Sequence, residues 1–207
     1  MITKKQVLLL SNFREDKQLS MLRFGDLLCS KSQEDPRFEI EEFFPQAFFS
    51  KILPNNRWKK WAAYLDKYLL FPKKIKQKLQ SFSKPIDLVH IIDHSNSFYL
   101  PQLIKISQAK KIITCHDLIA IRTAHGEFPH APNTSRTGKR LQRWIHNSLE
   151  HVDYYACDSL QTKDNLNRLV PRSKLNSSVL HLGTETNFPT PTEQRKSIEN
   201  LPFNPCK

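Results

Sequence analysis

Leu88-Val89-His90-Ile91-Ile92 runs straight into Asp93-His94, and the same change of character recurs three more times along the chain. Ile112-Ile113-Thr114-Cys115 runs into His116-Asp117, Tyr154-Tyr155-Ala156-Cys157 into Asp158-Ser159, and Val179-Leu180-His181-Leu182 into Gly183-Thr184-Glu185. Short apolar runs separated by stretches of helical period read as buried strands of a parallel sheet. Ligands of open α/β sheets sit beyond the carboxyl ends of such strands. The four polar clusters therefore predict one functional edge.

Working outward, a first strand over about 6–12 leads through Asn12-Phe13-Arg14-Glu15-Asp16 into a helix carrying Leu19, Leu22, Phe24, Leu27 and Leu28. A second strand over 38–44 ends at Pro45. A long helix is expected from Trp58 to Phe71, interrupted by Pro72, with a second helix from Lys73 to Phe82. Further helices are expected over 98–108, 138–151 and 160–169. The one over 138–151 turns Leu141, Trp144, Ile145, Ser148 and Leu149 inward. Between 122 and 137, Gly126, Pro129, Pro132 and Asn133 predict an irregular segment. The alternation of strand and helix predicts an α/β domain with a Rossmann-like doubly wound parallel sheet over 1–188. Pro189-Thr190-Pro191-Thr192 opens a segment of linker composition, 189–207.

Composition bounds the function. With 207 residues there is room for one substantial α/β domain and not for two. A net charge of +12 invites acidic partners: nucleic acid, anionic lipid or phosphorylated substrates. Four cysteines without a CxxC pair read as reduced core thiols of a cytosolic protein rather than a zinc site. With only four glycines there is no GxGxxG, no GxxxxGK[ST] and no GxSxG turn. Dehydrogenase, P-loop and α/β-hydrolase readings fall away, and so does a triad of Ser159, His116 and Asp93. The N-terminal apolar run is too short for a signal peptide, and no stretch approaches the ~20 apolar residues of a membrane span.

Several segments resemble the N-terminal domain of GT-B glycosyltransferases of the family-4 type. Thr114-Cys115-His116-Asp117-Leu118 is similar to the family's TxHDL segment. Ser159-Leu160-Gln161-Thr162-Lys163-Asp164-Asn165-Leu166 is similar to its strand-and-helix cap, and Val179 to Glu185 to its VxxLGxD strand end, with Glu for Asp. The resemblance covers about 86–188. It implies one half of a GT-B fold, the acceptor side of a retaining sugar transferase that needs neither metal nor other cofactor. A nucleotide-sugar donor would bind mainly through a C-terminal domain absent from this chain, and the acceptor would be a glycan or lipid-linked glycan. On that resemblance His116 lies near the transferred sugar, and Asp117 fixes its tautomer or caps the next turn. His94 is a second cleft residue, while Ser159 caps a helix or faces the cleft. Where many members carry a glycine-rich turn, this chain has Asp16-Lys17-Gln18, so Asp16 and Gln18 are further sugar-contact candidates. The alone-standing chain is expected to transfer little sugar.

From Lys51 to Lys84 there are ten basic residues and one acid, Asp66, a net +9 of the total +12. Trp58, Trp61, Ala62, Leu65, Tyr68 and Leu69 share a helical face. Two readings stand: a surface helix burying its aromatics against the sheet, or a basic amphipathic helix on an anionic membrane surface with Trp58, Lys59, Lys60 and Trp61 as contacts. The second places the protein in the cytoplasm at the inner face of a membrane. Nucleic acid fits less well, because base stacking needs exposed aromatics. A non-catalytic glycan-binding or regulatory module is the alternative function.

Overall fold

The computed structural model describes residues 4–52, 56–132 and 134–181. Six strands, β1 (Lys5–Leu10), β2 (Phe38–Phe43), β3 (Leu88–Ile91), β4 (Lys110–Cys115), β5 (Tyr154–Cys157) and β6 (Ser177–Val179), form one sheet. Every pairing is parallel and the order is β2-β1-β3-β4-β5-β6. The doubly wound α/β architecture expected from the sequence is present. The chain leaves β1 toward β2 and returns on its other side to β3, which puts the topological switch point between β1 and β3. The expectations for Leu182 to Glu185 and for a linker over 189–207 lie outside the described residues.

Strand alternation sorts the core. Leu8, Leu10, Val89, Ile91, Ile113, Cys115, Tyr155 and Cys157 pack on one face with residues of the later helices. Those helices include α4 (Phe71–Ser81), α5 (Leu100–Ile106), α7 (Arg136–Leu149) and α8 (Leu160–Leu169). On the opposite face lies α1 (Leu19–Gln33), whose Phe24, Leu27 and Leu28 border a groove with His90, Thr114 and Ala156. Gly25 lets α1 come close: a Cβ there would stand 3.0 Å from Ile92 Cδ1.

Three expectations are corrected. First, Pro72 does not interrupt a helix. The chain stays helical from α3 (Asn56–Leu65) through a π-turn, Asp66–Leu70, into α4. In the widened turn the Phe71 amide donates to the Asp66 carbonyl, five residues back. Pro72 thus falls in the first turn of α4, where its missing N–H and its ring are tolerated. The Lys67 carbonyl released by this shift accepts from Tyr99 Oη at 3.2 Å. Second, the tryptophans of α3 are not buried against the sheet, although Tyr68 of the same expected face does pack against the core. Ala62, Asp66, Phe71 and Ile75 form the buried line, while Trp58, Trp61, Leu65 and Leu69 face solvent. Trp144 on α7 is likewise exposed, although Ile145, Ser148 and Leu149 go inward as expected. Third, the segment read as irregular from 122 begins inside a short helix, α6 (Ile119–Ala124). Behind it, Glu127 holds Arg122 at 2.8 Å and Arg168 of α8 at 2.9 Å, and the two guanidinium groups bring its carboxyl down to about 2.

Candidate functional site

Asn12, just past β1, sits between two loops. Its Nδ2 donates to Asp93 Oδ2 at 2.7 Å and to Gln18 Oε1 at 2.6 Å, and its Oδ1 accepts from Asn96 Nδ2 at 2.7 Å. Asp93 also accepts from the Ser95 amide at 2.9 Å and the Ser95 hydroxyl at 2.7 Å, capping the 3-10 turn His94–Tyr99. Burial alone raises the Asp93 pKa, but the charge of His94 and these donors outweigh it and hold the carboxyl below its usual range. This network closes the switch point from both strands.

The turn after β1 contains no glycine, yet it still needs one left-handed residue. Lys17 takes it, with φ 53° and ψ 31°. That conformation lets the Arg14–Asp16 turn feed α1 and leaves Asp16 to pair with Lys67 Nζ at 2.6 Å. Asn12, Asp16, Gln18, Lys67, Asn96 and Gln142 contribute polar groups to a cavity of about 190 Å³ also walled by Phe13, Tyr64, Tyr68 and Phe98. Tyr64, Tyr68 and Leu141 also wall a second, wider groove of about 450 Å³ lined by Trp61, Trp144 and Arg140. The first space alone is smaller than the ~300–1,000 Å³ of a typical ligand pocket; with its neighbour it reaches that size.

At the end of β4, His116 is held on three sides. Its Nε2–H donates to the Ile92 carbonyl at 2.9 Å, which fixes the tautomer and leaves Nδ1 as an acceptor. The Phe24 ring meets the imidazole edge-on at 5.0 Å. Nδ1 is buried without a hydrogen-bond partner, 3.9 Å from Asp158 Oδ2. His94 Nδ1 is buried in the same unsatisfied state; it lies 3.3 Å from Asp93 Oδ1 but without hydrogen-bond alignment. Burial lowers the His94 pKa, against the pull of Asp93. Leaving a buried polar atom unpaired costs about 1–3 kcal/mol, and such atoms call for an explanation beyond folding.

The other candidates have structural partners. Asp117 Oδ1 accepts from the Ile119 amide at 3.0 Å, so it caps the turn into α6; the Ile92 carbonyl sets the His116 tautomer. Ser159 caps α8, accepting from the Thr162 amide at 3.1 Å and donating to Thr162 Oγ1 at 2.9 Å. Asp16 and Gln18 come together in the small cavity, whereas His116, Asp117 and Ser159 belong to the neighbouring strand ends. Trp58 and Trp61 are exposed; the side chains of Lys59 and Lys60 lie outside the described residues. Asn12, Asn96, Tyr64 and Lys67 were not singled out from the sequence as site residues, although Asn12 directly follows an apolar strand, the signal used at the other strand ends. Among the described residues no group of three His, Cys, Asp or Glu side chains is placed to hold a metal ion.

No protein-family model matches the chain, and no curated protein matches it significantly. Solved structures do. TcCGT1, solved with UDP, aligns over 97% of this chain and 56% of its own, with a TM-score of 0.57 at 12% identity. LpCGTa with UDP aligns over 89% and 55%, with 0.56 at 12%. A Polygonum tinctorium UDP-glucosyltransferase capable of glucosylating indoxyl, in complex with 3,4-dichloroaniline, aligns over 98% and 57%, with 0.55 at 11%. What they share with this chain is the fold. The chain spans about half the length of these structures. It shares the Rossmann-like α/β fold of about half of each of these structures.

Proposed function

We propose that this chain is the acceptor-side half of a retaining glycosyltransferase, which transfers a sugar from a nucleotide-sugar donor to a hydroxyl of a glycan or lipid-linked acceptor. The observation that carries the reading is the pair of buried imidazole nitrogens, His94 Nδ1 and His116 Nδ1, left without partners at the ends of adjacent strands. A sugar is dense in hydroxyl groups, and each can donate to the His116 Nδ1 acceptor. In this reading substrate binding uncovers His116 Nδ1, which then accepts from a hydroxyl of the transferred sugar, and its orientation is pre-set by the Ile92 carbonyl. Asn12, Gln18 and Asp16 position the acceptor at the β1 edge. Tyr64 and Tyr68, common to the polar cavity and the aromatic groove, suit an acceptor with a hydroxylated head and an apolar extension. The fold likeness to UDP-bound structures twice this length supports a companion domain that carries the nucleotide.

Titration calorimetry with a short alkyl glucoside and with UDP tests this. The chain should bind the glucoside, and His116→Ala and His94→Gln should each weaken it about tenfold, measured below the melting transition of each variant. UDP should bind feebly. Glucoside affinity indifferent to both substitutions, or efficient nucleotide-sugar turnover by this chain alone, would overturn the proposal.

A further inference from the structure

The helix from Asn56 to Ser81 carries two kinds of surface along one line. Trp58, Trp61, Leu65 and Leu69 follow each other at steps of three and four, and all face solvent; Trp58, Trp61 and Leu69 are 58%, 61% and 60% exposed. Continuing from Leu69 at i+4 and i+7, the line passes through Lys73 and Lys76, also exposed. Ile52, 63% exposed, and Phe48 extend the apolar end from α2 (Phe49–Ile52), which packs beside α3. Apolar surface therefore passes into basic surface on a single helical face.

The charge of this face is unopposed for a specific reason. Asp66, the one acid between Lys51 and Lys84, is 1% exposed and turned inward. It accepts from the amides of Phe48, Phe49 and Ser50 at 3.1, 3.0 and 3.1 Å and from the Ser50 hydroxyl at 2.9 Å. The same carboxylate that ties α2 to the π-turn thus removes the segment's negative charge from the surface. Lys67 and Lys78 are engaged with Asp16 and Glu41, whereas Lys51, Lys73 and Lys76 make no ion pair among the described residues.

We propose that this face docks on an anionic phospholipid bilayer, with Trp58, Trp61, Leu65, Leu69 and Ile52 in the interfacial layer and Lys51, Lys73 and Lys76 against the headgroups. Large apolar side chains on solvent-exposed helix faces mark interaction surfaces. Tryptophan suits the membrane–water interface, and a basic polar flank selects anionic lipid. The charge decides between a membrane and a neutral apolar partner, because lysines beside a dry protein interface would be desolvated without compensation. Trp61 belongs both to this face and to the aromatic groove, so the groove opens beside the docked surface. The docking stands independently of the sugar-transfer reading.

Vesicle sedimentation tests it with phosphatidylcholine alone and with 30 mol% phosphatidylglycerol. The chain should pellet with the anionic vesicles at least tenfold more strongly, with a blue shift of tryptophan emission, and release in high salt. W58A/W61A should abolish pelleting, and K73Q/K76Q should remove the lipid preference. Both variants should melt as the wild type does, since these side chains are exposed. Absence of pelleting, or pelleting insensitive to W58A/W61A, overturns the proposal. So does binding of a single-stranded oligonucleotide, or tryptophan-dependent dimerisation, without vesicle binding.

Discussion

Asp93 satisfies an amide, a hydroxyl and the Asn12 carboxamide at once, so removing its carboxylate strands several donors at the switch point. Asp93→Ala should cost on the order of 3 kcal/mol in urea denaturation, and Asp93→Asn distinctly less. His90 gives the fold a pH dependence. Burial, with a contribution from His116, takes its pKa down to about 4, while the unfolded imidazole titrates near 6.5. Between those values the unfolded chain binds a proton that the native chain refuses. Stability is complete above about pH 6.5 and falls toward pH 4, by on the order of 3 kcal/mol from His90. His94 is lowered in the same direction and adds to the loss below pH 6.5. Urea midpoints at pH 7 and 4.5 should show this, and His90→Gln should flatten the profile. Much of the candidate site was legible in the sequence, because Asp93-His94, His116-Asp117 and Asp158-Ser159 each end an apolar strand. Asn12 was passed over because its partners Asp93 and Asn96 lie more than 80 positions away, and no local pattern encodes that pairing.

At the scale of elements, α2 depends on a residue outside it. Asp66→Ala should free the α2 amides and cost about 2–4 kcal/mol, read as a lowered melting temperature. Gly25 sets the approach of α1 to the sheet edge, and Gly25→Leu should overpack against Ile92 and Ser11 and cost about 1–3 kcal/mol. Strands and most helices were legible from period and punctuation. Pro72 misled because a proline signals a break only where the surrounding turn cannot widen. The tryptophans misled for another reason. Periodicity tells which side chains share a face of a helix, not which face meets the core, and here the small Ala62 and the hydrogen-bonded Asp66 took the inward position.

At the scale of the molecule, the sheet brings residues from 12 to 159 to one edge, and the proposed chemistry is only half housed there. Under the sugar-transfer reading the chain alone should show no nucleotide-sugar turnover above background, with activity appearing only alongside a nucleotide-binding half. A coupled assay for released UDP, run on the chain with and without such a half, checks this.

The π-turn between α3 and α4 acts as a phase correction in a screw. On an unbroken α-helix the step from Asp66 to Phe71 would rotate the second half roughly 100° away from the first. The extra residue absorbs that rotation and aims Ala62, Asp66, Phe71 and Ile75 at the same core. Substitutions within Lys67–Leu70 alter side chains and leave this timing intact. Deleting one of them would let the turn close as ordinary α-helix with Phe71 four residues after Asp66, so Phe71 and Ile75 would keep their core positions. Inserting one more would instead rotate them out by roughly 100°. This short stretch should therefore accept a one-residue deletion far more readily than an insertion.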